Sequence, residues 1–410
     1  MSETNLIQQL RANEIGAEEL SQLALEVFGG AWDNGPDEVL FGRGVESFEL
    51  KLKYKKGGSE LLKILPGPNL DDAKLAKLIS LITNDLDRPE YRVAFAYLFS
   101  TFPVNGWYRY ADWFQVLPVP RDAPKPVWFD GHPLILQFRY RCPADTLLGA
   151  SRQLSEVRKI RLLLSTLLED RLTILKSNNM HWVREGAESC AQRHSGYQIR
   201  DTTFLQGGDF AAPTDCQPLS SVEATEYYSR SSTIPPNRGL ELPSNLTEMI
   251  QQYLSCPPPK QDQFLRAAFW LDHARDVWRD SATAAFLALT SSIESLLPVM
   301  KADKKCPVCE REIGKGSVRR LSEFFESYVP DWAEFHEART KLRWGLRSAW
   351  THGGSLAVSD KNLHFASLTS EAIQQSTVTR EMWRLVDVVL VNWLYSQRRL
   401  LTRLKQPRDA

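Results

Sequence analysis

Three consecutive prolines, Pro257-Pro258-Pro259, divide this chain. Proline has no N–H to donate and its ring clashes with the preceding helical turn, so helix interiors exclude it. A helical unit can therefore begin only after the triplet. Before it, strand-like alternation and helical periodicity are mixed; after it, nearly every segment has helical spacing. The expected fold class is an α+β N-terminal domain over residues 1–255, followed by an all-α helical bundle over residues 256–410. A length of 410 residues suits two domains of ordinary size.

In the N-terminal part, Leu6, Leu10, Leu20, Leu23 and Val27 predict a helix over 5–28 that stops at Gly29-Gly30. Ser47 to Tyr54 alternates with period two, so strands are expected over 38–65, with Lys56-Gly57-Gly58 as a turn. A helix follows near 70–84, then aromatic-rich strands over 92–140 and a leucine- and arginine-rich helix over 148–168. Strands return after Leu172, and residues 207–260 are loop-prone. His132, His181 and His194 are scattered and form no catalytic constellation.

Beyond Lys260, helices are expected over 264–278, 284–297, 318–328, 332–352 and 379–404, with short connections, as in a bundle. The fourth carries the chemistry. It opens at Pro330-Asp331, with Asp331 as N-cap, and Phe335, Ala338, Leu342, Leu346 and Ala349 form a core-facing stripe. Gly353-Gly354 is a stop. Arg347 and His352 fall in its last turns, where the helix dipole favours a charged imidazole. Arg339, Arg343 and Arg347, spaced by four, place a basic flank beside that stripe. A second arginine–histidine pair, Arg266 with His273, lies inside the unbroken pattern from Phe264 to Trp278 and reads as structural.

An imidazole near neutrality passes protons, and a guanidinium holds a phosphate and the charge that develops on it. Together they suffice for attack of a ribose 2′-OH on the adjacent phosphate without a metal. One histidine serves both proton transfers poorly, so a second copy of the chain supplying another His352 is chemically attractive. Glu294, on a neighbouring helix, is a candidate for orienting Arg347.

Lys305-Cys306-Pro307-Val308-Cys309 is a C-x-x-C knuckle between two helices, a spacing that grips one tetrahedral zinc. The remaining ligands are either Cys190 and His194, at C-x-x-x-H spacing, or the same pair from a second subunit; a metal-free turn is the plain alternative. Six cysteines in a chain this long make no disulfide framework.

No segment reaches the ~18 uninterrupted apolar residues of a membrane helix; Leu385 to Leu394 is the best candidate and contains Asp387. The first residues have neither the basic nor the apolar part of a signal peptide, so a cytoplasmic location is expected. Net charge is zero, but Lys260 to Ala410 carries 23 Lys and Arg against 18 Asp and Glu. A mildly basic C-terminal part is compatible with a polyanionic partner.

The C-terminal domain resembles the HEPN superfamily, in its Apea-like branch. The resemblance rests on the run Ala285 to Leu297 with Glu294, on Leu346-Arg347-Ser348 through His352-Gly353-Gly354 as an R-x4-6-H signature, and on the late helix around Asn392-Trp393-Leu394. It implies a metal-independent endoribonuclease of toxin or antiviral type. Its Arg347/His352 pairs would line one cleft of a homodimer or higher homo-oligomer, and RNA would be the partner. Members often carry Asn, Asp or His after the arginine; here Ser348 offers a hydroxyl instead. Products would end in a 2′,3′-cyclic phosphate. The N-terminal domain would then be a sensor that restrains the nuclease. The alternative, which Ser348 favours, is a non-catalytic module that binds RNA or a nucleotide, or only dimerises.

Overall fold

The computed structural model describes residues 15–35, 37–54, 61–87, 90–120, 123–126, 131–142, 147–174, 180–184, 192–195, 210, 216–229, 238–297, 304–305, 312–313, 317–329, 345–346, 349–350, 354–361 and 369–404. In chain order the first lobe comprises α1 (Ala17–Phe28), β1 (Ala31–Asp33), β2 (Glu38–Gly42), β3 (Phe48–Tyr54), β4 (Leu61–Pro66) and α2 (Asp72–Asp87). Its four strands form an antiparallel meander in the order β1-β2-β3-β4. The alternation expected over Ser47 to Tyr54 is present: Leu50, Leu52 and Tyr54 are buried against Leu20, Leu23, Leu78 and Ile82 of the two helices. Gly29, with φ of 80°, closes α1 where Gly29-Gly30 predicted a stop.

The second sheet is built from β5 (Tyr91–Ser100), β6 (Tyr108–Tyr110), β7 (Phe114–Pro118) and β9 (His132–Arg141), ordered β5-β9-β7-β6 and antiparallel throughout. Lys125–Pro126 is β8, which pairs with β10 (Met180–Arg184), itself paired with β11 (Gln192–Ser195). One face of the second sheet, including Leu98, Leu134, Leu136 and Phe138, lies under α3 (Leu147–Leu167). Every residue of α3 from Leu162 to Leu167 is buried, because the sheet covers one side and the helical layer the other.

Next come β12 (Ser221–Val222), α4 (Ala224–Ser229), β13 (Leu242–Pro243), α5 (Leu246–Ser255), α6 (Pro258–Val277) and α7 (Ala282–Leu296). They are followed by β14 (Lys304–Lys305), β15 (Glu312–Ile313), α8 (Ser317–Tyr328), α9 (Val358–Lys361) and α10 (Ser370–Leu404). An N-terminal region rich in sheet is thus followed by a helical one. Helix α6 begins at the proline triplet, with Pro257 extended and Pro258 in the first turn, where a missing N–H costs nothing.

The apolar core does not part there. One continuous cluster runs from Leu98 in β5 through Leu163 in α3 and Tyr253 in α5 to Phe264, Phe286, Phe325 and Trp393 in the later helices. Phe264 stacks on Trp393, centroids 6.2 Å apart, and also touches Tyr253 at 5.9 Å. The segment 207–260, loop-prone on its glycines and prolines, contributes α5, whose Leu246, Met249, Ile250 and Tyr253 are buried. Charge reinforces the joint: Arg161 of α3 makes a bidentate pair with the buried Asp272 of α6, at 2.9 and 2.7 Å. Helix α10 starts nine residues before the expected Thr379, because its first turns are polar and leave Ile373 exposed.

Candidate active site

Arg347, His352, Ser348 and Arg343 lie outside the described residues, as do Phe335, Ala338 and Leu342 of the expected stripe and the Asp331 cap. Residues on either side of the pair are described, and those nearest the core are held, while Gly345 is exposed. Gly345, Leu346, Ala349 and Trp350 are helical, with Leu346 and Ala349 packed on the core as the stripe requires. Trp350, which the stripe did not include, is the most deeply buried of them at 3% exposure. Its ring stands edge-on to Phe286 of α7, centroids 4.9 Å apart at 89°.

Just beyond the histidine, Gly354 N–H donates to the Ala349 carbonyl at 2.8 Å and Ser355 N–H to the same oxygen at 3.3 Å. A bond reaching back five residues is the closure that ends helices at glycine-bearing stops. Ala357 N–H then donates to Thr283 Oγ1, and Val358 N–H to Gln375 Oε1, each at 2.8 Å. Asp360 completes the anchor. It accepts from Ser281 Oγ at 2.7 Å, Ala282 N–H at 2.8 Å and Thr283 N–H at 2.9 Å, across the N-terminus of α7. Burial alone would raise the Asp360 carboxyl, but the bonds from Thr283, Ser281 and the helix N–H groups outweigh it and hold it below its ordinary value.

Glu294 is half-buried in the last turn of α7. It stands eight residues beyond Phe286, about 12 Å along the axis from where Trp350 lands. Arg266 is exposed, whereas His273 stacks on Phe269 at 6.2 Å and meets Trp270 edge-on at 5.9 Å. Aromatic packing thus occupies that imidazole.

Of the candidate zinc ligands, Cys306, Cys309 and Cys190 lie outside the described residues. The chain on either side of the knuckle is β14 and β15, paired antiparallel with Lys305 opposite Glu312. His194 lies in β11, with His181 of β10 as its register partner. Among the described residues, no group of three or more His, Cys, Asp and Glu side chains could hold a metal. No described helix is long and apolar enough to cross a membrane.

A half-buried carboxylate pair was not foreseen from the motifs. Glu169 follows α3 with a left-handed backbone, φ 48°, and lies near Asp387 of α10. Arg275 of α6 donates to Asp387 at 3.2 Å and to the Ser165 carbonyl at 3.1 Å. Burial pushes both carboxyls above the ordinary range, and Asp387 pushes Glu169 further, while Arg275 and Arg384 oppose this. The one clue in the sequence was Asp387 interrupting the apolar run Leu385 to Leu394.

The chain matches no protein-family model, no curated protein and no solved structure.

Proposed function

We propose that this chain is a metal-independent endoribonuclease of HEPN type, acting in the cytoplasm as a regulated toxin or antiviral effector. Arg347 would hold the scissile phosphate, and His352 would move the proton of the attacking 2′-OH. Ser348 and Arg343 would extend the polar rim, Glu294 would orient the guanidinium, and a second copy would supply the opposing pair. The observation that carries this reading is the fixing of both flanks of the motif. Trp350 is sunk against Phe286, and Gly354 to Asp360 is tied to Ala349, Thr283, Gln375 and the N-terminus of α7. Rigid elements position reacting groups more closely than free loops do. Residues 1–255 would restrain cleavage, and a structural zinc on Cys306 and Cys309, completed by Cys190 and His194 or by the same pair of a second copy, would tie down the segment between β14 and β15.

Wild type, Arg347→Ala and His352→Ala, expressed side by side, test the proposal. Wild type should arrest growth and leave RNA ends carrying 2′,3′-cyclic phosphate, and both variants should lose at least about a hundredfold in cleavage, the low end of general acid–base catalysis. Undiminished cutting by His352→Ala overturns the mechanism.

A further inference from the structure

Trp278 and Trp383 meet edge-to-face at the turn between α6 and α7, centroids 5.8 Å apart at 72°. Trp278 is 40% exposed and Trp383 is half-buried against the core. A lone exposed ring is ordinary on a protein surface, so the charges beside it decide what this one can do. The charges around the pair give the surface a character. Arg380, Trp383 and Arg384 share one stripe of α10 by their spacing of three and four, and Arg279 follows Trp278 directly. Arg279, Arg380 and Arg384 are all exposed and form no ion pair among the described residues. Of the nearby carboxylates, Asp276 is held by Arg171 and Asp387 by Arg275; Glu169 lies within the field of Arg384, Asp280 is exposed and Glu381 half-buried.

Flat apolar rings beside exposed guanidiniums are complementary to a strand that offers bases and phosphates alternately. Indoles accept the face of any base, and arginines accept phosphate oxygens. A duplex hides its base faces, so the fit is to a single strand. Position adds to this. Ser281, three positions after Trp278, donates its hydroxyl to Asp360 at the end of the anchored stretch that follows His352.

We propose that the Trp278/Trp383 face, rimmed by Arg279, Arg380 and Arg384, binds a single-stranded polynucleotide. Naming that strand as RNA rests on the ribonuclease reading; the surface itself does not. Trp278 supplies the exposed ring, Trp383 backs it edge-on, and the three arginines track the backbone.

Fluorescence anisotropy of the full chain with labelled oligouridylate, oligothymidylate and a short RNA duplex tests it. Trp278→Ala should weaken single-strand binding about fivefold or more, the effect of losing one stacked base, whereas Trp278→Phe keeps most of it. Arg279→Gln with Arg380→Gln should reduce the slope of log affinity against log salt by about 1.4. A preference for oligouridylate identifies RNA as the strand; equal binding of oligothymidylate keeps the surface and drops its restriction to RNA. If wild type fails to cut RNA while Trp278→Ala still loses binding, the surface stands and the ribonuclease reading falls. Unchanged affinity in Trp278→Ala and in the double arginine variant overturns the proposal. So does a preference for duplex, or a Trp278→Ala protein whose only change is its oligomeric mass, which would make the face a protein contact. Should Trp278→Ala melt early, the Phe and arginine variants decide.

Discussion

Trp350 meets the ring of Phe286 edge-on at 4.9 Å, and this contact fixes Trp350 against α7. Replacing Trp350 by Ala should cost about 3–5 kcal/mol, the range for emptying a large aromatic site. Among the described residues the buried indole Nε1 has no hydrogen-bond partner, so Trp350→Phe, which also removes that donor, should cost much less. Chemical denaturation of both variants and of Phe286→Ala measures this. Equal losses in the Phe and Ala variants at position 350 would contradict the packing argument.

The Glu169–Asp387 pair sets a pH dependence. A carboxyl whose folded pKa lies above its unfolded one, about 4.3 for glutamate, keeps its proton longer in the fold. Stability then declines as pH rises from that ordinary value toward neutrality. Glu169→Gln, always neutral, removes the part of the decline that Glu169 contributes and leaves that of Asp387. It should match wild type in mild acid and melt higher near neutral pH. Thermal scans across that window check the sign, and a variant that melts lower than wild type at neutral pH counts against it.

Truncation should discriminate between two joints in the chain. Removing residues 1–87 takes away the first lobe, whose core is largely its own. Removing residues 1–255 also takes α3 and α5, and with them Ile160, Leu163, Leu164 and Tyr253 from the main core. The shorter deletion should keep near-ultraviolet circular dichroism and a cooperative melt, while the longer one loses both. Regulation by the N-terminal part is therefore better tested by the shorter deletion.

Metal content tests the knuckle. Protein purified without chelator should carry zinc, and Cys306→Ser with Cys309→Ser should lose it and destabilise the region around β14 and β15. A wild-type protein with metal near zero ends the idea.

Much of the architecture was legible because periodicity reports burial. Leu50, Leu52 and Tyr54 alternate and are buried; Phe286, Leu289, Ile293 and Leu296 recur at helical spacing and are buried. Proline at 257–259 marked the start of α6 only approximately: the helix was expected from Phe264 but begins at Pro258, inside the triplet, because proline is tolerated in a helix's first turn. What periodicity could not report was which elements share a core. The helical layer draws on α3 and α5, which lie upstream of the prolines, since contacts across more than a hundred residues leave no local trace. The start of α10 was obscured because helix formation at an exposed end needs no apolar stripe. At the candidate site the flanking anchor was partly visible as Gly353-Gly354, but the carboxylate of Asp360 capping α7 depends on a meeting of distant segments. Spacing could not separate Arg266/His273 from Arg347/His352; the break in pattern after His352 did.

Helix α3 has no free side over its last turns: the second sheet lies on one flank and α6 on the other, with Arg161 bolted to Asp272. Protein interiors are too dense to absorb a displacement locally. A displacement of the second sheet therefore passes through this rod to α6 and the helices packed with it, rather than fading at the sheet.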